Sequence, residues 1–272
     1  MSISQKIKQV TPEPVWRTAS QARFALQRAA QWPPATFHPL RRRSIQKLSR
    51  YRDIHRNQRC FIIGNGPSLR KTDLSYLQDE YTFGMNRIYL MFPELGFTTT
   101  YYLSVNSLVI EQCTEEILAL PIPKFVSWRS RNLISPAADL VYLHTTYSGP
   151  KFARDARSRL WEGATVTYVA LQLAFYMGFQ QVILIGVDHS FSTKGRPNTT
   201  ITSQGDDQDH FDTRYFGEGY RWQLPDLATS ERAYRMAREA YQHEGREVLD
   251  ATVAGKLTVF PKVDYQSLFQ PG

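Results

Sequence analysis

The stretch Cys60-Phe61-Ile62-Ile63-Gly64-Asn65-Gly66-Pro67-Ser68-Leu69 constrains the fold more than any other part of the chain. Four apolar residues run straight into two glycines separated by one residue. A short apolar run ended by glycine is the pattern of a strand buried on both faces, as in parallel sheets. Glycines at its end permit a tight turn and close approach of backbone to a ligand. Backbone N–H groups in such a turn, followed by a helix N-terminus, form an anion site, here expected at Gly64, Asn65, Gly66, Pro67 and Ser68. Asn65 and Ser68 add neutral groups suited to a base, ribose or phosphate. No Gly-Lys-Ser/Thr follows, so the loop is not a Walker motif. Leu69 stands where Gly-x-Gly-x-x-Gly would place its third glycine.

Beyond Arg59, β-rich runs alternate with helical ones. Expected strands are Cys60–Ile63, Tyr81–Met85, Tyr101–Val105, Lys124–Ser127, Asp139–Leu143 and Val182–Val187. The helix expected over Ala164–Met177 places Val166, Val169, Ala170, Leu173 and Met177 on one face, and Gly178 ends it. A last helix from Ser230 to about His243 has Ser230 as its N-cap candidate. Val248–Asp250 and Leu257–Phe260 are expected to close the sheet. Residues 192–225 are polar, glycine-rich and aromatic-rich without a clear period, as in a lid-like insertion. The fold class expected is α/β: a Rossmann-like, mostly parallel sheet with helices on both faces, plus a basic N-terminal helical leader and that polar insertion.

The domain boundary is placed between a leader, residues 1–58, and a catalytic domain, residues 59–272. Residues 1–59 hold 13 Lys/Arg against 2 Asp/Glu, a net of +11, whereas the remaining 213 hold 20 against 23. The leader is expected to form a helix from Val15 to Ala30, to break at Trp32-Pro33-Pro34, and to resume around Arg41-Arg42-Arg43 as far as Arg56. It reads as a solvated arm or as an attachment to an anionic membrane surface or an acidic partner. Nucleic acid is not expected as a partner, because the folded body is not basic. No apolar run approaches the roughly 20 residues that span a bilayer. Cys60 and Cys113 have no metal or redox spacing. A cytoplasmic protein, at the inner face of the cell membrane if the leader binds lipid, is the expectation.

Gly84-Met85-Asn86-Arg87 and Leu103-Ser104-Val105-Asn106 each put an asparagine just past an extended run. In an open parallel sheet the carboxyl ends of strands line the ligand crevice. Asn65, Asn86 and Asn106 are therefore expected to converge. Together with Gly163-Ala164-Thr165-Val166-Thr167 and Leu184-Ile185-Gly186-Val187-Asp188-His189-Ser190-Phe191, these motifs resemble the MptE-like domain family over roughly residues 59–262. That family is named after an archaeal hydroxymethyldihydropterin pyrophosphokinase. The motifs are also similar to those of motility-associated flagellin glycosyltransferases and bacterial CMP-sialic acid sialyltransferases. The resemblance implies that Gly64–Ser68, Asn86 and Asn106 hold the nucleotide. It implies that Arg159 and Gly163 match an Arg-x-x-Ser-Gly segment in which Glu162 replaces the serine. Asp188 matches a Gly-Ile-Asp segment, although Ser190 and Phe191 stand where phosphate-contacting tyrosines follow in the enzymes. His210, before Phe211, matches their catalytic histidine.

Three functions follow. The first is a nucleotide-sugar-dependent glycosyltransferase with a hydroxyl acceptor, using a CMP-activated acidic sugar, with His210 as general base and Arg159 and Asp188 assisting. The second is a hydroxymethylpterin pyrophosphokinase-like transferase, in which Asp188 with Asp206, Asp207 or Asp209 holds Mg²⁺. The third is a non-catalytic nucleotide-binding module. The aromatic run Tyr215–Trp222 is either a lid and acceptor platform or a loop pinned by burial. No cofactor beyond that Mg²⁺ is expected.

Overall fold

The computed structural model describes residues 13–270, without the side chains of residues 13–21 and Gln27. An eight-stranded sheet forms the centre, in the order β10-β7-β1-β2-β3-β4-β5-β6. The strands are β1 (Arg59–Ile63), β2 (Tyr81–Met85), β3 (Tyr101–Ser104), β4 (Lys124–Ser127), β5 (Leu140–Thr146), β6 (Arg159–Trp161), β7 (Gln181–Ile185) and β10 (Glu247–Asp250). Every pairing in this sheet is parallel. The expected α/β class is therefore the observed one.

Alternation along β1 assigns the two faces. Cys60 and Ile62 enter one core with Phe83, Leu103, Val182 and Leu184. Phe61 and Ile63 enter the other with Tyr102, Val126, Ile183 and Ile185. The first face is covered by α2 (Pro39–Ser49), α6 (Val166–Met177) and α7 (Leu227–His243). The opposite face carries short helices, among them α3 (Phe92–Leu95), α4 (Ser107–Gln112) and α5 (Thr114–Ala119). Helix α6 is buried almost all round, as expected for a helix in the centre of a large core. Gly178, at φ 94°, ends it in the left-handed region.

Several expectations need correction. Helix α1 spans Glu13–Phe37 and runs through Pro33 and Pro34 instead of stopping there. Thr36 Oγ1 donates to Trp32 O at 2.7 Å, and Ala35 is buried, so the turn after the prolines is held helical. The basic segment is not a free arm throughout. Arg41, Ser44 and Leu48 of α2 are buried, and Ser44 Oγ accepts from Tyr142 N of β5 at 3.0 Å. Packing thus continues across the 58/59 boundary, because Leu48 fills space in the same core as β1. The N-cap of α7 is Asp226, which accepts from Thr229 N at 3.0 Å, while Ser230 lies inside the helix and donates to Leu227 O. Leu257–Phe260 is not a strand; among the described residues, β10 is followed only by a bridge between Asp250 and Lys262. Strand β6 was not foreseen. Nor was the antiparallel hairpin of β8 (Thr200–Thr202) and β9 (Arg221–Gln223) inside the insertion. Among the described residues, no helix is long and apolar enough to cross a membrane.

Candidate functional site

Strands β2 to β6 follow one another on one side of β1, and the chain then crosses back to lay β7 on the other. The strand order reverses between β1 and β7, and ligand crevices of open parallel sheets lie at such points. A cleft of about 400 Å³ occupies this place. Its walls come from the loops after β1, β2, β3 and β7, the start of α6, and the insertion.

The Gly64–Ser68 loop packs against the β7 end, and most of its N–H groups are committed. Gly64 N donates to Ile185 O at 2.7 Å, Gly66 N to Gly186 O at 2.9 Å, and Leu69 N to Gly66 O at 3.2 Å. Asp188 takes that of Ser68: its carboxylate accepts from Ser68 N at 3.2 Å and from Ser68 Oγ at 2.7 Å. The expected anion cradle is therefore already filled by a carboxylate of the chain itself. A Cβ on Gly66 would overlap that carboxylate, and one on Gly64 would overlap Gly186 O. These glycines serve the contact between two loops. Gly66 has φ −71°, so its role is space and not a left-handed backbone. Gly64, Asn65 and Gly66 line the cleft, whereas Pro67 and Ser68 do not.

The three asparagines do converge on the cleft. Asn65 Nδ2 donates to Met85 O at 3.1 Å, and its Oδ1 is buried with no partner among the described residues. Asn86, at φ 51°, accepts from Ser104 Oγ at 3.0 Å. Asn106 caps α4, accepting from Leu108 N at 2.9 Å. All three side chains thus also tie strand ends or caps of the protein itself.

Arg159 is not at the site. It lies on edge strand β6 and donates through Nη2 to Arg28 O of α1 at 3.1 Å. The cation in the cleft is Arg129, which pairs with Glu162. Glu162 also accepts from Thr145 Oγ1 at 2.6 Å. Burial raises the Glu162 pKa, against the opposing pull of Arg129 and Thr145. Gly163 stays outside the lining, and with Ala164 makes a left-handed turn, φ 53° and 62°, that leads into α6. A Cβ on Gly163 would press into Tyr168 and Ala233 at 2.6 Å. The turn aims the N-terminus of α6, capped by Thr165, into the cleft. That end carries the positive pole of a 12-residue helix. With Arg129, whose charge Glu162 partners, it supplies the positive character of a lining that also holds Asp188, Asp209 and Asp226.

His210 lines the cleft from the insertion. Its Nδ1 donates to Asp207 Oδ2 at 2.7 Å, and both side chains are largely buried. An acceptor carboxylate on Nδ1 leaves the Nε2 lone pair as the basic position. The ring stacks on Tyr215 at 4.0 Å and meets Phe216 edge-on at 5.1 Å. Tyr215, Phe216 and Trp222 are buried, so the aromatic run pins the insertion and does not form an open platform. Phe211 N donates to Asn65 O at 2.9 Å, and Arg70 Nε to Phe211 O at 2.6 Å. These bonds hold His210 against the Gly64 loop. His189 lies nearby in a left-handed conformation and contacts Glu231 at 3.1 Å.

The aspartates do not fit a Mg²⁺ site. Asp188 holds Ser68, and Asp207 accepts from His210, Asp209 N and Phe216 N. Asp209 accepts from Ser192 and Thr193; burial works against its charge, but these bonds outweigh it and keep the pKa below the usual range. Asp206 does not line the cleft. Among the described residues, no three His, Cys, Asp or Glu side chains are grouped to hold a metal. Sequence reading also missed Arg129, Tyr147 and Asn198. The last two are hydrogen-bonded across the cleft mouth, and no local motif marks them.

No curated protein matches this chain. Among solved structures, the MAf glycosyltransferase from Magnetospirillum magneticum AMB-1 matches with a TM-score of 0.49 and 16% identity, over 94% of this chain and 43% of that one. This chain therefore spans less than half the length of that protein. Residues 37–194 match the family described as 6-hydroxymethylpterin diphosphokinase MptE-like. The match starts at the last residue of α1, takes in α2, and continues through the Gly64 loop, the three asparagines and Asp188. On that match the chain belongs to the MptE-like family.

Proposed function

We propose that this chain is a transferase that moves a sugar from a nucleotide-activated donor to a hydroxyl acceptor. The observation that carries the reading is the His210–Asp207 pair, whose histidine lines a cleft at the sheet's switch point. In the transfer, the acceptor O–H proton passes to His210 Nε2. The oxygen forms a bond to the anomeric carbon, and the carbon–oxygen bond to phosphate breaks. The electron pair leaves with the nucleotide phosphate. Arg129 and the α6 N-terminus offer that phosphate its complement. Asn65, with a free buried acceptor, together with Asn86 and Asn106, suits a base or ribose. The motif resemblance favours a CMP-activated acidic sugar as donor.

The family description supports a second reading, diphosphate transfer to a pterin alcohol. Such a reaction uses Mg²⁺ on the transferring phosphates, and the aspartates here are committed elsewhere. A thermal-stabilisation screen separates the two. CMP, CDP, UDP, GDP, AMP and ATP are compared with and without Mg²⁺, since a ligand that binds only the folded state raises apparent stability. A metal-independent CMP response supports glycosyl transfer. A response to ATP only with Mg²⁺ replaces it with the second reading.

A further inference from the structure

Four nitrogens are buried without a hydrogen-bond partner at the outer end of the sheet: Arg41 Nε and Nη1, Arg159 Nε and His144 Nε2. None of these residues lines the cleft. They come from three elements that meet. His144 and Arg159 are register partners across β5 and β6, so their side chains leave the same face of the sheet. Arg41 is one helical turn before Ser44, which is bonded to the backbone of β5, so α2 presents Arg41 there too. Arg28 arrives from α1: its Nη1 donates to Ser148 Oγ at 3.1 Å, and its carbonyl accepts from Arg159.

Arg41 is 1% exposed and His144 6%. Among the described residues, no carboxylate pairs with Arg28, Arg41 or Arg159. Burial lowers the Arg41 pKa to about 10, and burial with the neighbouring Arg159 and Arg41 lowers that of His144 to about 4. Charged guanidinium groups out of water need both a counter-charge and acceptors for their N–H groups. The described chain supplies no counter-charge and only part of the acceptors: Arg41 Nη2 donates to Arg157 O at 2.7 Å and Arg159 Nη2 to Arg28 O at 3.1 Å, which leaves Arg41 Nε and Nη1 and Arg159 Nε without one. A phosphate group supplies both, because its oxygens match the planar guanidinium fork.

We propose that Arg28, Arg41, His144 and Arg159 form a second binding site, separate from the cleft, for a phosphate group. Inorganic phosphate and the phosphodiester of an anionic lipid headgroup share that chemistry. Helix α1, which supplies Arg28, also exposes Phe24, Leu26, Trp32 and Phe37.

The test follows the histidine ring signals of the full chain by NMR, with His144 assigned as the signal missing from His144→Gln. Inorganic phosphate is titrated at constant ionic strength against chloride, and phosphatidylglycerol bicelles against phosphatidylcholine bicelles. A saturable shift of His144 with phosphate supports the site and a free-phosphate ligand. A shift only with phosphatidylglycerol supports the site with a lipid source. In Arg159→Gln the affinity should fall roughly 10- to 100-fold, the worth of one charge-assisted bond. If that variant does not fold, the wild-type titration alone decides. No His144 response to either phosphate source, or shifts confined to His189 and His210, overturns the proposal.

Discussion

Ser68 and Asp188 are joined twice, by Ser68 Oγ to Asp188 Oδ2 at 2.7 Å and by Ser68 N to Asp188 Oδ1 at 3.2 Å. The pair connects the loop after β1 to the loop after β7, on the two sides of the switch point. A carboxylate of the chain fills the place where a glycine-rich turn often receives a phosphate. The Gly64–Gly66 part of the motif therefore lines the cleft, and the positive character of the lining comes from Arg129 and the α6 N-terminus.

Removing the Asp188 carboxylate should lower stability before it affects chemistry. Asp188→Ala leaves the Ser68 N–H and hydroxyl without their acceptor, a loss of about 1–3 kcal/mol. Asp188→Asn keeps one acceptor oxygen and should lose less. Urea unfolding midpoints measure both. Wild-type stability in Asp188→Ala, with turnover abolished, would instead put Asp188 in contact with substrate.

Gly66→Val should fail to fold stably, because its side chain would displace the Asp188 carboxylate. Circular dichroism of the purified variant checks this. A folded Gly66→Val that has lost only nucleotide binding would mean that ligand, and not Asp188, occupies that space.

The central strands were legible because buried parallel strands are apolar runs with sharp ends. Tyr81–Met85 and Lys124–Ser127 have the expected bounds. Strand β6 is three residues long with no period to read, and only its pairing to β5 defines it. The motif resemblance pointed to His210, and its side chain lines the cleft. The orientation of Arg159 was not legible, since a motif gives a residue's type and place but not the face of an edge strand. Arg129 reaches the cleft from the turn after β4, and nothing nearby in sequence announces it. The Asp226 cap was readable, lying three residues before Thr229, but Ser230 offered a competing signal within the same turn.

The basic N-terminal segment should divide into two parts on truncation. Removing residues 1–36 takes away most of α1 and should leave a folded domain. Removing residues 1–56 also strips α2, whose Lys47 Nζ donates to the carbonyls of Ala137, Ala138 and Leu140. Loss of the buried Leu48 side chain alone is worth about 2–5 kcal/mol. Thermal melts of the two truncations check the difference. The full chain should also bind anionic vesicles in low salt, and the 1–36 deletion should not, because exposed basic groups act through screened attraction. Equal vesicle binding by the two would exclude α1 as the membrane contact.

His144 should make the protein lose stability in mild acid. Its pKa falls from 6.5 in the unfolded chain to about 4 in the fold, through burial and then Arg159 and Arg41. Between those values the unfolded chain binds more protons, so stability rises with pH. The contribution is complete above about pH 6.5 and is lost as pH falls toward 4, by up to roughly 3 kcal/mol. His144→Gln lacks this dependence. Unfolding free energies of the two proteins between pH 4 and 7 should therefore converge on the acid side. Parallel curves would mean that His144 titrates normally.

His210 and Asp207 should act as one unit in turnover, once the ligand screen has identified the donor. His210→Ala removes the base and should reduce kcat by roughly two to four orders of magnitude, with donor affinity near wild type. Asp207→Asn keeps the shape but replaces an acceptor-only carboxylate with an amide that can donate to Nδ1. The imidazole can then carry its proton on Nε2, where the acceptor hydroxyl must deliver one. Asp207 also accepts from Phe216 N and Asp209 N, so the melting temperature of Asp207→Asn is needed beside its rate. A double variant should be little slower than His210→Ala alone, since the carboxylate acts through the ring. His189→Ala is the comparison, because His189 also lines the cleft and has its own carboxylate, Glu231. Full activity in His210→Ala with loss in His189→Ala would transfer the base to the end of β7.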